Sequence, residues 1–230
     1  MGRALLNERL AKLYVTRFCK SKWYSVYDRL MAQRGSYAKG VAKREEILTA
    51  ALDVIAREGY RGASVKVLAE AVGLSQAGLL HYFDSKDELF TEILRKRDEL
   101  DLATYRAGAD EDPLRIFLQV MRHNAEVPGL VELYTRLAAE ASDPEHPAHR
   151  FFIQRREVMT ALFDDVIREG RRSGRYPDTV DPAAFGIVLT ALADGLQTLW
   201  LRDPTIDMAG EIERLLTSLG FLTAERSAPE

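Results

Sequence analysis

The sequence of 230 residues predicts an all-α fold, and three observations support this prediction. Apolar residues recur three and four positions apart along several segments, which places them on one face of a helix. Proline lies in the first turn of four later segments, where a helix tolerates it. No useful length of chain alternates apolar and polar residues, as a half-buried strand would.

The first predicted helices are mostly short. They cover residues 43–58, 65–72, 76–83 and 86 to about 106. Gly59 and Gly73 end the first and second helices. Ser64, Ser75 and Ser85 stand directly before the second, third and fourth helices, where a hydroxyl caps the free backbone N–H groups. The short-helix pattern stops near residue 101, which we take as a domain boundary.

The remaining segments form longer amphipathic helices. They cover about 113–126, 128–142, 147–173, 182–202 and 208–222, and all but the last begin at a proline. The predicted organisation is an N-terminal extension (1–40), a domain of short helices (41–101) and a domain of longer amphipathic helices (102–230).

Charge is distributed unevenly along the chain. Residues 1–40 carry a net charge of +7, residues 41–101 carry −3 and residues 102–230 carry −7. A basic segment before an acidic body indicates a polyanionic partner at the N-terminal end.

Composition also bears on the compartment. Cys19 is the one cysteine, so neither an internal disulfide nor a cysteine-rich zinc site is expected. The N-terminus lacks the apolar core of a signal peptide, and no run approaches the roughly 18 apolar residues of a membrane helix. We expect a cytoplasmic protein with no membrane partner.

Two short helices meet through the turn Val72-Gly73-Leu74-Ser75, which is the layout of a helix-turn-helix motif. The second helix of such a motif enters the DNA major groove. Leu79 and Phe83 are four residues apart and should face the core. The opposite side carries Gln76, Ala77, Leu80 and His81.

The reading side has suitable chemistry for bases. Gln76 can contact adenine through two hydrogen bonds, and Ala77 can touch a thymine methyl group. Gly78 costs up to about 1 kcal/mol of helix stability relative to alanine, but lets the backbone approach DNA closely. His81 is a further candidate, although a histidine taken alone is more often a surface or core residue than a DNA contact.

Other residues are candidates for phosphate contacts, which position the protein without reading the base sequence. Ser64 and Ser75 cap helices whose positive dipole ends can point at phosphates. Lys66, Tyr82 and Lys86 can donate to phosphate oxygens, although the two lysines alone are ordinary surface residues.

Residues 43–89 resemble the TetR (tetracycline-repressor-like) family of transcriptional regulators. The resemblance lies in the Gly-Leu-Ser turn, the Leu-x-x-x-Phe core pair and the Ser-Lys-x-x-Leu start of the fourth helix. It implies a homodimeric repressor that binds operator DNA and is released by a small-molecule ligand. Leu80 departs from the family pattern, which usually has a phosphate-contacting tyrosine there; His81 and Tyr82 are the candidates to replace it.

The second half carries a weaker resemblance. The run from EHPAHRFFIQRRE to DGLQTLWL resembles the C-terminal domains of the betaine-repressor type, which implies an effector pocket and dimerisation through the last two helices. The candidate ligand-binding residues are Phe117, Met121, Asn124, Tyr134, Phe163, Gln197 and Trp200. For each of them a core position remains the alternative.

The N-terminal forty residues leave two questions open. RGSYAKGVAKR, residues 34–44, is either an arm that follows DNA or enters its minor groove, or a solvated tail. NERLAKLYVTRF, within residues 1–30, could form a basic amphipathic helix at a membrane surface. Alternatively, Met31 is the natural start and residues 1–30 are an artefactual extension.

The sequence gives no indication of an enzyme, a metal site or a cofactor. G-x-S-x-G, G-x-x-x-x-G-K and H-E-x-x-H motifs are absent. His146-x-x-His149 stands beside proline without a cysteine, so we expect a structural role. The rival to a DNA-binding regulator is a helical enzyme or small-molecule carrier whose N-terminal helices only pack.

Overall fold

The computed structural model describes residues 38–106 and 112–222. Within these residues the regular structure is helical throughout and contains no strand, which confirms the predicted all-α fold. The helices in chain order are α1 (Ala38–Gly62), α2 (Val65–Ala71), α3 (Gln76–Leu80), α4 (Lys86–Arg106), α5 (Pro113–Glu126), α6 (Pro128–Glu140), α7 (His149–Arg172), α8 (Pro182–Trp200) and α9 (Met208–Ser218).

Helices α1 to α4 enclose the first hydrophobic core. Its most deeply buried side chains include Ile47, Ile55, Leu68, Leu79 and Ile93. Each such side chain stabilises the fold by about 1.5–3 kcal/mol through burial. The core therefore holds the short helix α3 in place, since five residues cannot form a stable helix in water by themselves.

Helix α1 is longer than the sequence predicted. It begins at Ala38 instead of Lys43, and it continues past Gly59 to Gly62. Gly59 has the left-handed φ of 73°, so the predicted helix end is a kink within α1. Residues 38–44 of the predicted basic arm are thus helical, and the other expectations for residues 1–37 lie outside the described residues.

Helix α3 is shorter than predicted, because it ends at Leu80 instead of Phe83. His81 still donates its backbone N–H to the Ala77 carbonyl at 3.0 Å. Tyr82 then bonds three residues back, to Leu79 at 3.0 Å, which tightens the chain into a turn. His81 and Tyr82 therefore follow the helix and are not part of it.

Helices α5, α7, α8 and α9 enclose the second core. Among its most buried side chains are Leu114, Met121, Phe163, Ile167 and Ile212. The starts predicted from proline hold for α5, α6 and α8, whereas α7 begins two residues after Pro147.

Helix α8 is the one helix of the described residues that is long and apolar enough to cross a membrane, by length and composition. The helix also carries Thr190, Asp194, Gln197 and Thr198, so it is not a continuous apolar run. One side of α8 nevertheless packs in the second core through Phe185, Leu189, Leu196 and Trp200, all of which are buried. A core helix in a globular fold accounts for its composition.

The two halves of the chain meet closely where α6 packs on α1. A Cβ atom on Gly129 would lie 2.4 Å from the Ile55 carbonyl oxygen, so the two backbones approach as only glycine allows. Leu130 and Leu133 of α6 belong to the first core. The N-terminal helices are therefore packed against the C-terminal ones and not merely linked to them.

A second contact between the halves involves His146, in the loop before α7. Its Nε2 lies 3.7 Å from a Glu140 carboxylate oxygen and 4.0 Å from one of Asp87, at the start of α4. His149 instead bonds the Ala141 carbonyl through Nδ1 at 2.8 Å. Within the described residues no group of three or more His, Cys, Asp or Glu side chains could hold a metal ion.

Candidate nucleic-acid interface and interior cavity

The helix-turn-helix is built by three serine caps. Ser64 accepts a hydrogen bond from the Val67 N–H at 3.3 Å, and Ser75 accepts one from the Gly78 N–H at 3.0 Å. Ser85 caps α4 in the same way, at 3.0 Å from the Glu88 N–H. These bonds satisfy backbone donors that a helix start leaves free, and so they determine where each helix begins.

The turn between α2 and α3 is compact. Gly73 adopts the left-handed φ of 67°, and the Leu74 N–H donates to the Ala69 carbonyl at 2.9 Å. This is the reversal that the Gly-Leu-Ser sequence predicts. It directs α3 away from α2 at a defined angle.

Helix α3 has one packed side and one exposed side. Leu79 is 0% exposed and Phe83, just beyond the helix, is 2% exposed. The side chains that were predicted to face away, Gln76, Ala77, Leu80 and His81, are all exposed. The structure thus brings the proposed base-reading residues together on one open surface.

Gly78 has a structural reason to be glycine. A Cβ atom there would lie 3.2 Å from the Ser75 hydroxyl, which is tighter than an ordinary contact. That hydroxyl is the one that caps α3. Glycine therefore protects the cap, and this role is compatible with the close approach to DNA that the sequence suggested.

The proposed phosphate contacts surround this surface. Ser64, Ser75, Lys66 and Lys86 are exposed, whereas Tyr82 is half-buried and packs against the first core. The Lys66 ammonium lies 3.9 Å from Glu70, a weak ion pair in solvent. These side chains are accessible to a phosphate backbone, and their role remains a prediction.

Arg44 is the residue that the sequence reasoning placed wrongly, in the basic arm. Its guanidinium donates to the Tyr82 carbonyl and contacts Glu88 at 3.2 Å and Glu92 at 3.4 Å. It also lies 4.2 Å from the centre of the Phe83 ring. Arg44 therefore ties α1 to the end of the reading segment and to α4.

Lys43 is a second cation that the sequence reasoning missed. Its ammonium donates to the Val72 carbonyl at 3.3 Å, beside the turn of the helix-turn-helix, and pairs with Glu46 at 2.7 Å. No local signal identifies such a residue, because its partner in the turn is 29 positions away.

A separate feature of the C-terminal half is a cavity of about 50 Å³ between α4, α5, α6, α7 and α8. Its walls include five of the seven residues that were proposed as ligand contacts: Phe117, Met121, Asn124, Tyr134 and Gln197. Phe163 and Trp200 do not line it. Phe163 packs behind the wall, with its ring 5.2 Å from that of Phe117, and Trp200 is buried in the second core.

Charged side chains make up one wall of this cavity. Arg155 binds both oxygens of Asp98, at 2.9 and 3.3 Å, and donates to the Tyr134 hydroxyl at 3.2 Å. That hydroxyl donates to Asp194 at 2.9 Å. The chain of contacts joins α4, α6, α7 and α8 through the cavity wall.

Burial changes the acid–base properties of these groups. It raises the pKa of the Asp194 carboxyl, an effect that Arg155 partly opposes, and it raises the pKa of the Tyr134 phenol. Burial alone would lower the pKa of the Arg155 guanidinium, but its interactions with Asp98, Tyr134 and Asp194 together outweigh burial and raise that pKa. Arg155 is therefore held in its charged form.

A second ion pair, Arg97 and Asp101, lies on α4 itself. Arg97 is buried, donates to the Asn124 side-chain oxygen, and has its Nε 3.6 Å from an Asp101 oxygen. Burial lowers the pKa of Arg97 and raises the pKa of Asp101, because both charged forms lose water. None of these five charged residues was among the predicted ligand contacts, because nothing local shows that Asp98 and Asp194 meet partners 57 and 60 positions away at one cavity.

Known proteins were compared with this chain. Residues 47–93 match the family model described as bacterial regulatory proteins, tetR family. The HTH-type transcriptional repressor Rv1474c of Mycobacterium tuberculosis is 30% identical over 159 residues, covering 67% of this chain and 80% of that protein. The HTH-type transcriptional regulator RutR of Escherichia coli is 36% identical over 87 residues, which are 37% of this chain and 41% of RutR.

A solved structure shares the fold. Thermus thermophilus FadR, described as a TetR family transcriptional repressor in complex with lauroyl-CoA, superposes with a TM-score of 0.54. The alignment covers 81% of this chain and 99% of FadR, at 21% sequence identity. The likeness therefore concerns the arrangement of helices, in both halves of the chain.

We predict that Arg44→Ala lowers the free energy of unfolding by about 2–3 kcal/mol, because Glu88 and Glu92 lose a half-buried counter-charge and Phe83 loses a cation contact. Urea unfolding followed by circular dichroism measures this difference. The matched control is Arg57→Ala, since Arg57 pairs with Asp53 in solvent on the same helix and should matter by at most about 0.5 kcal/mol. Equal losses in the two variants would contradict the role of Arg44.

Proposed function

Because this chain belongs to the TetR family of bacterial regulatory proteins, we propose that it is a cytoplasmic, homodimeric transcriptional repressor. In this proposal it binds operator DNA through α3, and a small molecule in the interior cavity releases it. One observation carries the proposal. Helix α3 exposes Gln76 on its outer side, while its inner side packs on the first core through Leu79.

The geometry of α3 supports DNA binding. A reading helix must be accessible on one side and rigid on the other, because a mobile helix would lose affinity on ordering. Leu79 and Phe83 anchor the packed side, and the Arg44 guanidinium holds the backbone just after the helix. Gln76 and Ala77 are then presented to the bases on a fixed support.

Local charge also supports a DNA partner. The chain as a whole has a net charge of −3, but residues 60–86, which contain the motif, have three basic and two acidic residues. The basic segment of residues 1–40 lies immediately before α1. The acidic remainder of the chain would face away from the phosphates.

Helix α4 supports a link between the cavity and DNA. It starts at Lys86, six residues after α3 ends, and its later residues Arg97, Asp98 and Asp101 line the cavity. A ligand that prefers one arrangement of these side chains would shift α4 and thereby the spacing of the two reading helices. Such a shift requires a different affinity of the ligand for the two arrangements.

An apolar surface supports the homodimer. The outward side of α8 carries exposed Ile187, Val188 and Leu199, and its neighbour α7 adds Ala161. The sequence predicts dimerisation through α8 and α9; the outward side of α9 carries the ion pair of Glu211 and Arg214 beside exposed Leu215 and Leu219. We place the dimer contact on α7 and α8, because the exposed apolar side chains of α8 need a partner.

A twofold dimer would place two reading helices roughly 34–36 Å apart, one turn of DNA, and would match a pseudo-palindromic operator. The rival proposal is a helical enzyme or a small-molecule carrier, whose α3 would only pack. A gel shift on DNA that flanks the gene discriminates between them. Failure to bind any genomic fragment at low salt would exclude the regulator.

We predict different effects for two variants of the reading surface. Gln76→Ala should relax the base preference at one operator position, because its two hydrogen bonds distinguish adenine from other bases by about 1–3 kcal/mol. Lys86→Ala should weaken binding to all sequences alike and reduce the slope of log affinity against log salt by about one. Competition binding with operator and random DNA over a salt series measures both effects.

The assignment of roles fails if both variants lose specificity equally. Arg57→Ala provides the control, since Arg57 is exposed on α1 and pairs with Asp53. It should leave affinity and salt dependence unchanged.

We further predict that Ile187→Asp converts the dimer to a monomer, because each copy would bury a carboxylate in an apolar contact. Analytical ultracentrifugation measures the mass in solution. The control is Leu215→Asp on α9, where the native side chain is also exposed but should stay outside the contact. If Ile187→Asp remained a dimer and Leu215→Asp became a monomer, the dimer contact would lie on α9 and not on α7 and α8.

A further inference from the structure

The interior cavity has an excess of negative charge. Its walls hold the carboxylates of Asp98, Asp101 and Asp194 and the guanidinium groups of Arg97 and Arg155. Three acidic groups therefore face two basic groups in a space that is largely closed to water. An uncompensated charge in such a place is costly, so a cation in the cavity would be stabilised.

The pairing inside the cavity identifies the carboxylates with spare capacity. Asp98 is engaged at both oxygens by Arg155. Asp194 accepts from the neutral Tyr134 hydroxyl at 2.9 Å, and Asp101 has the Arg97 Nε at 3.6 Å, beyond hydrogen-bond distance. Asp194 and Asp101 are thus the groups that a further positive charge would satisfy.

Gln197 provides an independent indication of a ligand with hydrogen-bond donors. It lines the cavity one turn after Asp194 on α8, and the residue is only 6% exposed. Its Nε2 donates to the Ala193 carbonyl at 3.3 Å, but its Oε1 accepts no hydrogen bond from any residue in the described ranges. An amide oxygen at the wall of a cavity can accept a hydrogen bond from a donor inside that cavity.

The size of the cavity limits the ligand. Its volume of about 50 Å³ is roughly a third of a cavity that holds benzene. Phe117, Met121 and Met159 form the apolar part of the wall. These apolar side chains can pack against a short alkyl chain. The face of the Phe117 ring can also lie near a cation, so a ligand with an alkyl chain and a positive charge is compatible with this wall.

We propose that the effector is a compact organic cation with N–H donors, such as a primary amine, whose ammonium group binds Asp194 and donates to Gln197. This inference rests on the proposed role of the cavity as the effector site. A quaternary ammonium group has the charge but no N–H donor, and a neutral alcohol has a donor but no charge. Both should therefore bind more weakly than a primary amine of similar size.

Isothermal titration of the full-length protein tests the proposal, with propylammonium, tetramethylammonium, n-propanol and propionate as probes. Propylammonium should bind at least about tenfold more tightly than each of the others. Asp194→Asn, which keeps the shape and removes the charge, should lower its affinity about tenfold or more. Asp53→Asn, on the exposed side of α1, is the control and should bind as the unmodified protein does.

A second variant and a DNA-binding measurement distinguish failure of the amine proposal from failure of the proposed function. Gln197→Leu should also weaken propylammonium binding, and it tests the site without a change in charge. A gel shift on the same preparation shows whether the protein binds DNA. Intact DNA binding with no amine binding, or equal binding of n-propanol and propylammonium, would overturn the amine proposal alone; loss of DNA binding would overturn the proposed function.

A different observation carries a second inference, which concerns Leu80. This side chain is 37% exposed, whereas the adjacent Leu79 is fully buried. It stands three residues after Ala77 and four after Gln76, so the three share the open side of α3. Ala77 and Leu80 together form an apolar patch beside one polar reading residue.

The major groove offers one apolar group to such a patch, the ring methyl group of thymine. We infer that Leu80 contacts this methyl group and helps to specify thymine in each half-site. The inference rests on the proposed DNA binding of α3. It gives Leu80 a specificity role in place of the phosphate contact that a tyrosine would make.

Replacement of operator thymines by deoxyuridine, one position at a time, tests this contact. At one position in each half-site, loss of the methyl group should weaken binding of the unmodified protein about fourfold. Leu80→Ala should bind thymine and deoxyuridine operators equally. Leu215→Ala is the matched control, because Leu215 is also 37% exposed but lies on α9, and it should remain sensitive.

The results separate the inference from the proposed function. A protein that binds its operator but ignores every thymine replacement would overturn the Leu80 contact. So would a Leu80→Ala variant with undiminished sensitivity to deoxyuridine. Absence of operator binding altogether would instead count against the function.

Discussion

The contact of the Arg44 guanidinium with Tyr82, Phe83, Glu88 and Glu92 holds the DNA-binding half of the molecule together. It connects three elements: α1, the segment just after α3, and α4. Burial of Leu79 and Phe83 sets which side of α3 is exposed. The Arg44 guanidinium is a planar group with several hydrogen-bond donors, and it holds the backbone just after α3 against α1 and α4.

Helix α4 extends this constraint to the rest of the chain. Its 21 residues would span about 30 Å as a continuous helix. Its first half contributes Leu89, Phe90 and Ile93 to the first core, and its second half contributes charged groups to the cavity. A helix is stiff along its length, so in the proposed mechanism a shift at Arg97 or Asp101 would be passed along α4 to its start beside the reading segment. The close approach of Gly129 to α1 adds a second rigid contact between the halves.

In two places the C-terminal half reverses the usual arrangement, in which apolar side chains are buried and charged side chains are exposed. Charged side chains lie inside, around the cavity, and apolar side chains such as Val188 lie outside on α8. Each arrangement costs free energy in the isolated chain. Each is balanced if the surface has a partner: a ligand in the cavity, and a second copy on α8. The buried charges of the cavity and the exposed apolar side chains of α8 therefore both point to binding partners.

The sequence predicted the helices and the helix-turn-helix well, because their signals act over a few residues. Ser64, Ser75 and Ser85 cap where they were expected to, and α4 and α5 have the predicted bounds. The helical backbone breaks at Gly59 as that glycine predicts, although a further short turn continues α1 to Gly62, whereas the predicted end of α3 at Phe83 was wrong. The end of α3 depends on a turn that Arg44 stabilises from another helix.

Local patterning by itself determined the all-α class and which side of α3 is exposed, because capping and the 3.6-residue period operate within one or two turns. Tertiary structure alone decided the Arg44 clamp and the charged wall of the cavity. Arg44 and Glu88 are 44 residues apart, Arg155 and Asp98 are 57 apart, and Tyr134 and Asp194 are 60 apart. Such pairs form only when packing brings distant helices together, and the periodicity of a single helix carries no information about its partner.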